Sequence, residues 1–135
     1  MAKVLIIDDD AGLTGIFKQA LQQEKYEVVV ADTGEKGIGL AQKENPQLIL
    51  LDYMLPDLNG IAVLKKLKED DHTKSIPVAI LSNFGQEDTI KQSLYDGASE
   101  FWLKYRLGPE DLINKVGTIL LHQKQEGTGD AKPNP

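Results

Sequence analysis

Five short apolar runs, separated by longer mixed segments, constrain the fold of this chain more than any other feature. They lie at residues 4–7, 28–31, 48–51, 78–81 and 101–103. Each run is apolar throughout rather than alternating with polar residues, which is typical of a strand buried on both faces of a sheet. The segments between them have the length of helices, and strands that alternate with helices indicate a parallel α/β sheet.

Apolar spacing and capping residues predict helices between these strands. The first helix carries one apolar stripe, formed by Leu13, Ile16, Phe17, Ala20 and Leu21. The fifth is expected to begin at Pro109, because proline suits the first helical position and acidic residues follow it. Around residues 86–95 only Ile90 and Leu94 form an apolar stripe, so we expect this fourth helix to be the most mobile.

Charge and composition exclude several classes of function. The formal net charge is −6 and the chain contains no cysteine. Nucleic acids and anionic membranes attract clustered Lys and Arg, so direct binding to either is not expected. Thiol catalysis and disulfides are excluded. The longest aliphatic runs have four residues, far fewer than a bilayer span needs. We therefore expect a cytoplasmic protein that does not bind membranes.

The length suits one domain, and the composition changes near the end of the chain. The chain has 135 residues, and from residue 123 it is polar with interspersed glycine and proline. We expect residues 1–122 to form the domain and residues 123–135 to form a disordered tail or the stub of a linker.

Four of the apolar runs stop at a residue capable of chemistry, namely Asp8, Asp52, Ser82 and Lys104. In a parallel sheet these positions share one edge, where ligands of open α/β sheets bind. Asp9 adds a further carboxylate, and two carboxylates about 4 Å apart repel by about 4 kcal/mol at an effective dielectric near 20. Such a cluster needs a cation, and Mg²⁺ prefers oxygen ligands of this kind. The sequence therefore predicts a magnesium site at this edge.

The chain resembles the receiver domain of bacterial two-component response regulators from residue 3 to about residue 122. The matching segments are 4–10 (VLIIDDD), 50–60 (LLDYMLPDLNG), 80–83 (ILSN) and 97–104 (GASEFWLK). The resemblance implies a flavodoxin-like, doubly wound α/β fold, with a five-stranded parallel sheet in the order 2-1-3-4-5 and five helices.

The resemblance also implies roles for individual residues. Asp52 would be the phosphoacceptor, and Mg²⁺ would be held by Asp8, Asp9, Asp52 and the backbone carbonyl of Met54. Carboxylate attack on phosphorus depends mainly on positioning and charge neutralisation, which suits this set.

Three further residues complete the implied site. Ser82 and Lys104 would each bind a phosphoryl oxygen. Phe101 matches an aromatic position that changes rotamer as Ser82 moves toward the phosphoryl group. A buried aromatic in the core is an equally good interpretation of Phe101.

The chain departs from the family pattern beside this site. Tyr105 follows Lys104 where the family usually has proline, so we expect a trans peptide bond and an altered loop before the fifth helix, and such a loop could displace Lys104. Met54, Asn83 and Phe84 are expected to shield the acyl phosphate from water, which predicts slow dephosphorylation.

Other residues are given structural or surface positions. Asp10 is expected to cap the first helix and Asp57 to shape a tight turn. His72 and His122 are expected at the surface. Five aromatic residues fall near the face that the family uses for partners, where exposed rings would mark an interface. They are Phe84, Tyr95, Phe101, Trp102 and Tyr105.

The resemblance implies a signalling domain rather than an enzyme. It would receive a phosphoryl group from a sensor histidine kinase or phosphotransfer protein, and signal to an effector protein or to an output domain that this chain lacks. It would be a monomer or a phosphorylation-dependent dimer.

Two alternatives remain open. The Asp8-Asp9-Asp10 triplet also resembles the first motif of haloacid-dehalogenase-like phosphatases, in which Asp8 would be the nucleophile and Asp10 the acid. The chain is short for that class, and Asp52 would then lack a role. The other alternative is a receiver-like interaction domain that is never phosphorylated.

Overall fold

The structure is a computed structural model that describes the backbone of residues 1–129 and the side-chain burial of residues 1–123. It contains one parallel sheet in the order β2-β1-β3-β4-β5. The strands are β1 (Lys3–Ile7), β2 (Glu27–Ala31), β3 (Leu48–Asp52), β4 (Val78–Ser82) and β5 (Glu100–Leu103). The predicted sheet and strand order are confirmed.

Within residues 1–129, five α-helices follow the strands, one after each. They are α1 (Ala11–Gln23), α2 (Gly34–Glu44), α3 (Gly60–Glu69), α4 (Glu87–Tyr95) and α5 (Pro109–Gly129). A short 3₁₀ turn, Lys104–Arg106, lies between β5 and α5. Among the described residues, no helix is both long enough and apolar enough to cross a bilayer.

The helix α5 continues past residue 122, where the composition changes. The end of the domain expected there is therefore not marked by the end of a helix. The last part of the expected tail, residues 130–135, lies outside the described residues.

The core consists of two layers, one on each face of the sheet. Successive residues of a strand point to opposite faces. In β1, Leu5 and Ile7 therefore pack with α2 and α3, whereas Val4 and Ile6 pack with α1 and α5. Because both faces are covered, β1, β3 and β4 are almost completely buried, as their uniformly apolar runs predict.

Two glycines allow close packing around the carboxyl ends of the central strands. A Cβ on Gly37 of α2 would lie 2.5 Å from Cδ1 of Ile7. A Cβ on Gly60 would lie 2.5 Å from the carbonyl oxygen of Asp52. Although glycine lowers helix propensity, these two positions let α2 and α3 approach β1 and β3 directly. The site described below lies at this end of the sheet.

Candidate functional site

Three carboxylates meet where β1 and β3 end. Asp8 follows the last residue of β1 and Asp52 is the last residue of β3, and these strands are neighbours in the sheet. Asp8, Asp9 and Asp52 each place one carboxylate oxygen within 4.8 Å of the others. Asp8 and Asp52 are buried, while Asp9 is exposed. The structure therefore brings together the acidic cluster that the sequence predicts.

Lys104 supplies the positive charge beside this cluster. Its Nζ lies 2.8 Å from Oδ2 of Asp8 and 3.0 Å from Oδ1 of Asp52. The described chain has no cis peptide bond, so the bond between Lys104 and Tyr105 is trans, as expected. The altered loop does not displace Lys104 from the cluster. The loop forms the 3₁₀ turn that begins at Lys104, and this turn keeps the ammonium between the two carboxylates.

The site contains more negative charge than Lys104 can balance. Burial and the neighbouring charge of Asp8 raise the pKa of Asp52 to about 6, although the Lys104 ammonium acts in the opposite direction. Burial by itself lowers the pKa of Lys104, but its contacts with Asp8 and Asp52 outweigh this effect and raise that pKa above its usual value. Ionisation of Asp52 is therefore costly until a further cation is present.

The donor atoms fit a hard divalent cation. Oδ2 of Asp8 is buried, and although Lys104 pairs with it, no hydrogen bond of good geometry reaches it from the described residues. Its other oxygen, Oδ1, accepts a hydrogen bond from the backbone N–H of Asp10 at 2.9 Å. Carboxylate oxygens at an open surface, with room for water and phosphate oxygens, are what Mg²⁺ takes in proteins. Asp8, Asp9 and Asp52 are the residues that would hold it.

A shallow cavity of about 230 Å³ opens above the cluster. It is lined by Asp9, Asp10, Asp52, Tyr53, Met54, Ser82, Asn83, Phe84 and Lys104. Met54 and Phe84 are exposed at its rim. A separate groove of about 570 Å³ lies beside β2 and α2 and is lined by one carboxylate, Asp32, and two ammonium groups, Lys36 and Lys43. Unlike this groove, the smaller cavity adds the hydroxyl group of Ser82 to its acidic and amine groups.

Ser82 and Phe101 occupy different parts of this region. Ser82 ends β4, is buried and lines the cavity, and its Oγ accepts a hydrogen bond from the backbone N–H of Phe84 at 3.1 Å. Phe101 lies on the neighbouring strand β5, half-buried against the core layer formed with α2 and α3. Phe101 does not line the cavity. A switch between these two residues would therefore act through the β4–β5 pair.

The aromatic residues of the last third separate into two groups. Phe84, Tyr95 and Tyr105 are exposed. Trp102 is buried, packs in the layer formed with α1 and α5, and donates a hydrogen bond from Nε1 to Oε1 of Glu100. The expectation that places Trp102 with the partner-facing aromatics is wrong, because side chains alternate along β5 and Trp102 points away from the face that Phe101 occupies.

Two aspartates near the site have structural contacts. Asp10 caps α1 by accepting a hydrogen bond from the N–H of Leu13 at 3.1 Å, as predicted. Asp57 has a wider role than shaping its own turn, since its carboxylate accepts hydrogen bonds from the N–H groups of Gly34 and Glu35 at 2.8 and 3.0 Å. The sequence contains no local signal for these contacts, because their donors lie more than twenty residues earlier. Both histidines, at positions 72 and 122, are exposed as expected.

Comparison with known proteins adds a family match. A family model described as the response regulator receiver domain matches residues 4–117. The phosphate regulon transcriptional regulatory protein PhoB of Pseudomonas aeruginosa is 33% identical over 129 residues, which cover 96% of this chain and 55% of PhoB. The chain therefore spans about half the length of this curated relative.

Solved structures match over nearly the whole chain. A CheY-like response regulator receiver domain protein from Methanospirillum hungatei has a TM-score of 0.87 and 29% identity, covering 93% of this chain and 98% of that one. The BeF₃-activated N-terminal receiver domain of RstA from Klebsiella pneumoniae has a TM-score of 0.80 and 26% identity, covering 87% of this chain and 97% of that one.

Proposed function

This chain belongs to the response regulator receiver domain family, and from that premise we propose that it accepts a phosphoryl group on Asp52 with Mg²⁺ bound beside it. The observation that carries the proposal is the meeting of three carboxylates and one ammonium at the end of β1 and β3. Receivers of this family are in general signalling domains, and the chain is proposed to act as one rather than as an enzyme with an external substrate.

The reaction transfers one phosphoryl group between two nucleophiles. A carboxylate oxygen of Asp52 forms a bond to phosphorus while the bond between phosphorus and the donor breaks, and the donor keeps the electron pair. Mg²⁺, when bound, neutralises charge on the phosphoryl oxygens. Asp8 and Asp9 would hold the cation together with Asp52 and the backbone carbonyl of Met54. A cation held there would also lower the raised pKa of Asp52, which would favour the ionised carboxylate that attacks.

Lys104 and Ser82 act on the phosphorylated state. Lys104 already lies 3.0 Å from Oδ1 of Asp52, so its ammonium is placed to pair with a phosphoryl oxygen. Ser82 would release the N–H of Phe84 and donate its hydroxyl proton to another oxygen. Phe101 on the paired strand would change rotamer with this movement and alter the exposed surface near β5.

A sensor histidine kinase or phosphotransfer protein is the proposed donor, and an effector protein or an output domain is the proposed receiver of the signal. PhoB is by its name a transcriptional regulatory protein, and the chain matches about half of it. The chain itself is proposed to act as a monomer or as a phosphorylation-dependent dimer.

Acetyl phosphate with Mg²⁺, followed by intact mass measurement, tests the proposal. The unaltered chain is expected to gain one phosphoryl group, and Asp52→Asn is expected to gain none. Asp10→Asn is the matched control, because asparagine caps helices as well as aspartate and should leave the adduct unchanged. Borohydride reduction and peptide mapping should place the modification at residue 52.

Two results would replace this proposal with one of its alternatives. If no adduct forms, and beryllofluoride with Mg²⁺ leaves the melting temperature unchanged, the chain is a receiver-like interaction domain that is not phosphorylated. An adduct at Asp8 would instead favour the phosphatase. The contact between Asp10 and Leu13 speaks against that enzyme, because the carboxylate it would need as an acid is engaged in capping α1.

Slow dephosphorylation remains a prediction. Met54, Asn83 and Phe84 line the cavity beside Asp52, as shielding requires. Decay of the intact-mass adduct after removal of acetyl phosphate measures the rate. A half-life of seconds in Mg²⁺ would contradict it.

A further inference from the structure

We propose that Asp57 is a positioning residue for the cation site, which it supports by tying the loop after β3 to the first turn of α2. The proposal rests on the function proposed above, because it concerns the Mg²⁺ site of that function. It assigns to Asp57 a role beyond shaping its own turn.

Both oxygens of the Asp57 carboxylate are engaged by α2. Oδ1 accepts a hydrogen bond from the N–H of Gly34 at 2.8 Å, and Oδ2 accepts one from the N–H of Glu35 at 3.0 Å. The first N–H groups of a helix have no partner within the helix, so these two donors are free to bind a carboxylate. The positive end of the helix dipole favours a negative group here as well. The same two hydrogen bonds lower the pKa of Asp57, so the carboxylate is charged at neutral pH.

The loop that carries Asp57 is closed at its base by the residues of the site. The N–H of Gly60 donates to the carbonyl of Tyr53 at 2.7 Å, and Met54 forms an antiparallel bridge with Asn59. The N–H of Tyr53 donates to the carbonyl of Leu81 in β4 at 2.8 Å. Asp57 therefore lies at the far side of a small closed loop whose near side includes Met54, the proposed carbonyl ligand.

Packing reinforces the same contact. A Cβ on Gly34 would lie 2.8 Å from Cγ2 of Val63 and 3.1 Å from Cδ1 of Leu58. The first residue of α2 thus packs directly against the residue that follows Asp57. Since the loop is fixed at both its base and its far side, we expect it to hold the Met54 carbonyl in one position.

Capping of α2 alone does not require Asp57. The Thr33 side chain already caps this helix by accepting a hydrogen bond from the N–H of Lys36 at 3.2 Å. Thr33→Ala and Asp57→Ala each remove one cap from the same helix, but only Asp57→Ala separates the helix from the loop. Thr33→Ala is therefore a matched control for the loss of helix stability.

The experiment compares Mg²⁺ affinity and melting temperature in the full chain and these variants. Titration calorimetry with MgCl₂ is expected to show an Mg²⁺ affinity about three- to tenfold lower in Asp57→Ala than in the unaltered chain. This is at the lower end of, or below, the loss of affinity that is typical when a group supporting a metal ligand is removed. Thr33→Ala is expected to lose melting temperature but to keep its Mg²⁺ affinity within about twofold. Asp57→Asn keeps one acceptor oxygen, so its affinity should fall between those of the unaltered chain and Asp57→Ala.

Each outcome has a definite meaning. If folded Asp57→Ala or Asp57→Asn binds Mg²⁺ as tightly as Thr33→Ala, Asp57 is only a helix cap and the inference is overturned, whereas the proposed function stands. If the unaltered chain binds no Mg²⁺, the proposed function and this inference fail together. Should Asp57→Ala not fold, the comparison between Asp57→Asn and Thr33→Ala decides the question.

Discussion

Asp52 and Asp57 lie five positions apart in the chain but in two regions of opposite character. Asp52 is buried in the carboxylate cluster, beside Asp8 and the Lys104 ammonium. Asp57 is exposed at the junction with α2, where it accepts hydrogen bonds from two backbone N–H groups. The pKa of Asp52 is raised to about 6, chiefly by burial, whereas hydrogen bonds from Gly34 and Glu35 hold the pKa of Asp57 below its usual value.

The difference between these surroundings shows that the groups that contact a carboxylate determine its role. The charged form of Asp52 lacks enough compensation from the protein, so the region gains stability from an added cation. The charged form of Asp57 is already satisfied by the backbone, so its region needs no ligand. The same residue type is therefore proposed to serve chemistry in one region and architecture in the other, and variants of each region should respond in opposite ways.

The largest expected effect concerns two glycines, one in each region. Gly60→Ala places a Cβ 2.5 Å from the backbone oxygen of Asp52, whereas Gly34→Ala places one 2.8 Å from the side chain of Val63. A backbone oxygen cannot move away from the added Cβ as easily as the end of a side chain can. We expect a loss of unfolding free energy of about 3 kcal/mol for Gly60→Ala and about 1–2 kcal/mol for Gly34→Ala in urea titrations followed by circular dichroism.

Gly39→Ala is the control for this pair, because nothing lies within 4 Å of the added Cβ. Because residue 39 lies inside α2, the change from glycine to alanine should raise the free energy of unfolding by about 0.5–1 kcal/mol. A greater loss of unfolding free energy for Gly34→Ala than for Gly60→Ala would show that the region around the carboxylate cluster accommodates an added Cβ more easily than the junction with α2 does.

Asp52→Asn should stabilise the metal-free protein near neutral pH. The folded pKa of about 6 exceeds the ordinary value of 3.8, so the folded state binds this proton more readily than the unfolded state. Stability from this group is therefore lost as the pH rises through about 4 to 6. We expect Asp52→Asn to be more stable by about 1–2 kcal/mol at about pH 7, allowing for water that reaches the open cavity.

Urea unfolding at about pH 5 and about pH 7 without Mg²⁺ tests this expectation. The difference between Asp52→Asn and the unaltered chain should shrink at the lower pH, and Mg²⁺ should stabilise only the unaltered chain. An equal stability difference at both pH values would contradict the assignment of the raised pKa to Asp52.

Asp57→Asn should act in the opposite direction and more weakly. Because the folded pKa is lowered, Asp57 contributes stability above its unfolded pKa, and this contribution is lost as the pH falls through the folded pKa. The variant should therefore melt at a lower temperature than the unaltered chain near neutral pH. The two should converge as the pH falls below the lowered pKa of Asp57, where both side chains are uncharged. Melting curves followed by circular dichroism measure the difference. If the difference in melting temperature between Asp57→Asn and the unaltered chain does not change with pH, the charge of Asp57 does not contribute to the pH dependence of stability.

Trp102 should show the smallest effect. Its ring is buried on the opposite face of the sheet from α2 and α3, and Lys115 lies 5.6 Å from the ring centre. The fluorescence emission maximum of the folded protein is therefore expected to stay unchanged in the Asp52 and Asp57 variants. A red shift in either variant would indicate that its effect extends through the sheet to the α1–α5 layer.

The sheet and the acidic cluster were predictable because they depend on local patterns. Uniformly apolar runs mark buried strands, and the residue at the end of each run must lie at the ligand-binding edge of a parallel sheet. Asp8, Asp9 and Asp52 follow from this rule and from the family resemblance together. Lys104 follows from the same rule, and the structure adds that the 3₁₀ turn that begins at Lys104 leaves its ammonium beside Asp8 and Asp52.

The features that escaped prediction depend on distant partners or on the choice of a face. Asp57 finds its donors in the first turn of α2, and no residue near Asp57 in the sequence indicates them. Trp102 belongs to a run that is apolar throughout, so the run does not indicate which face each ring occupies.

The link between Asp57 and α2 also matters for exchanging parts between related proteins. Gly34, Glu35 and the loop that carries Asp57 are distant in sequence but share two hydrogen bonds and a tight contact. A chimera that imports the loop from a relative without an acceptor at position 57 would leave the two amides without their partner, and an imported α2 with a larger residue at position 34 would meet Val63 and Leu58. The two segments form one transferable module, so a graft should carry residues 33–37 and 52–60 together.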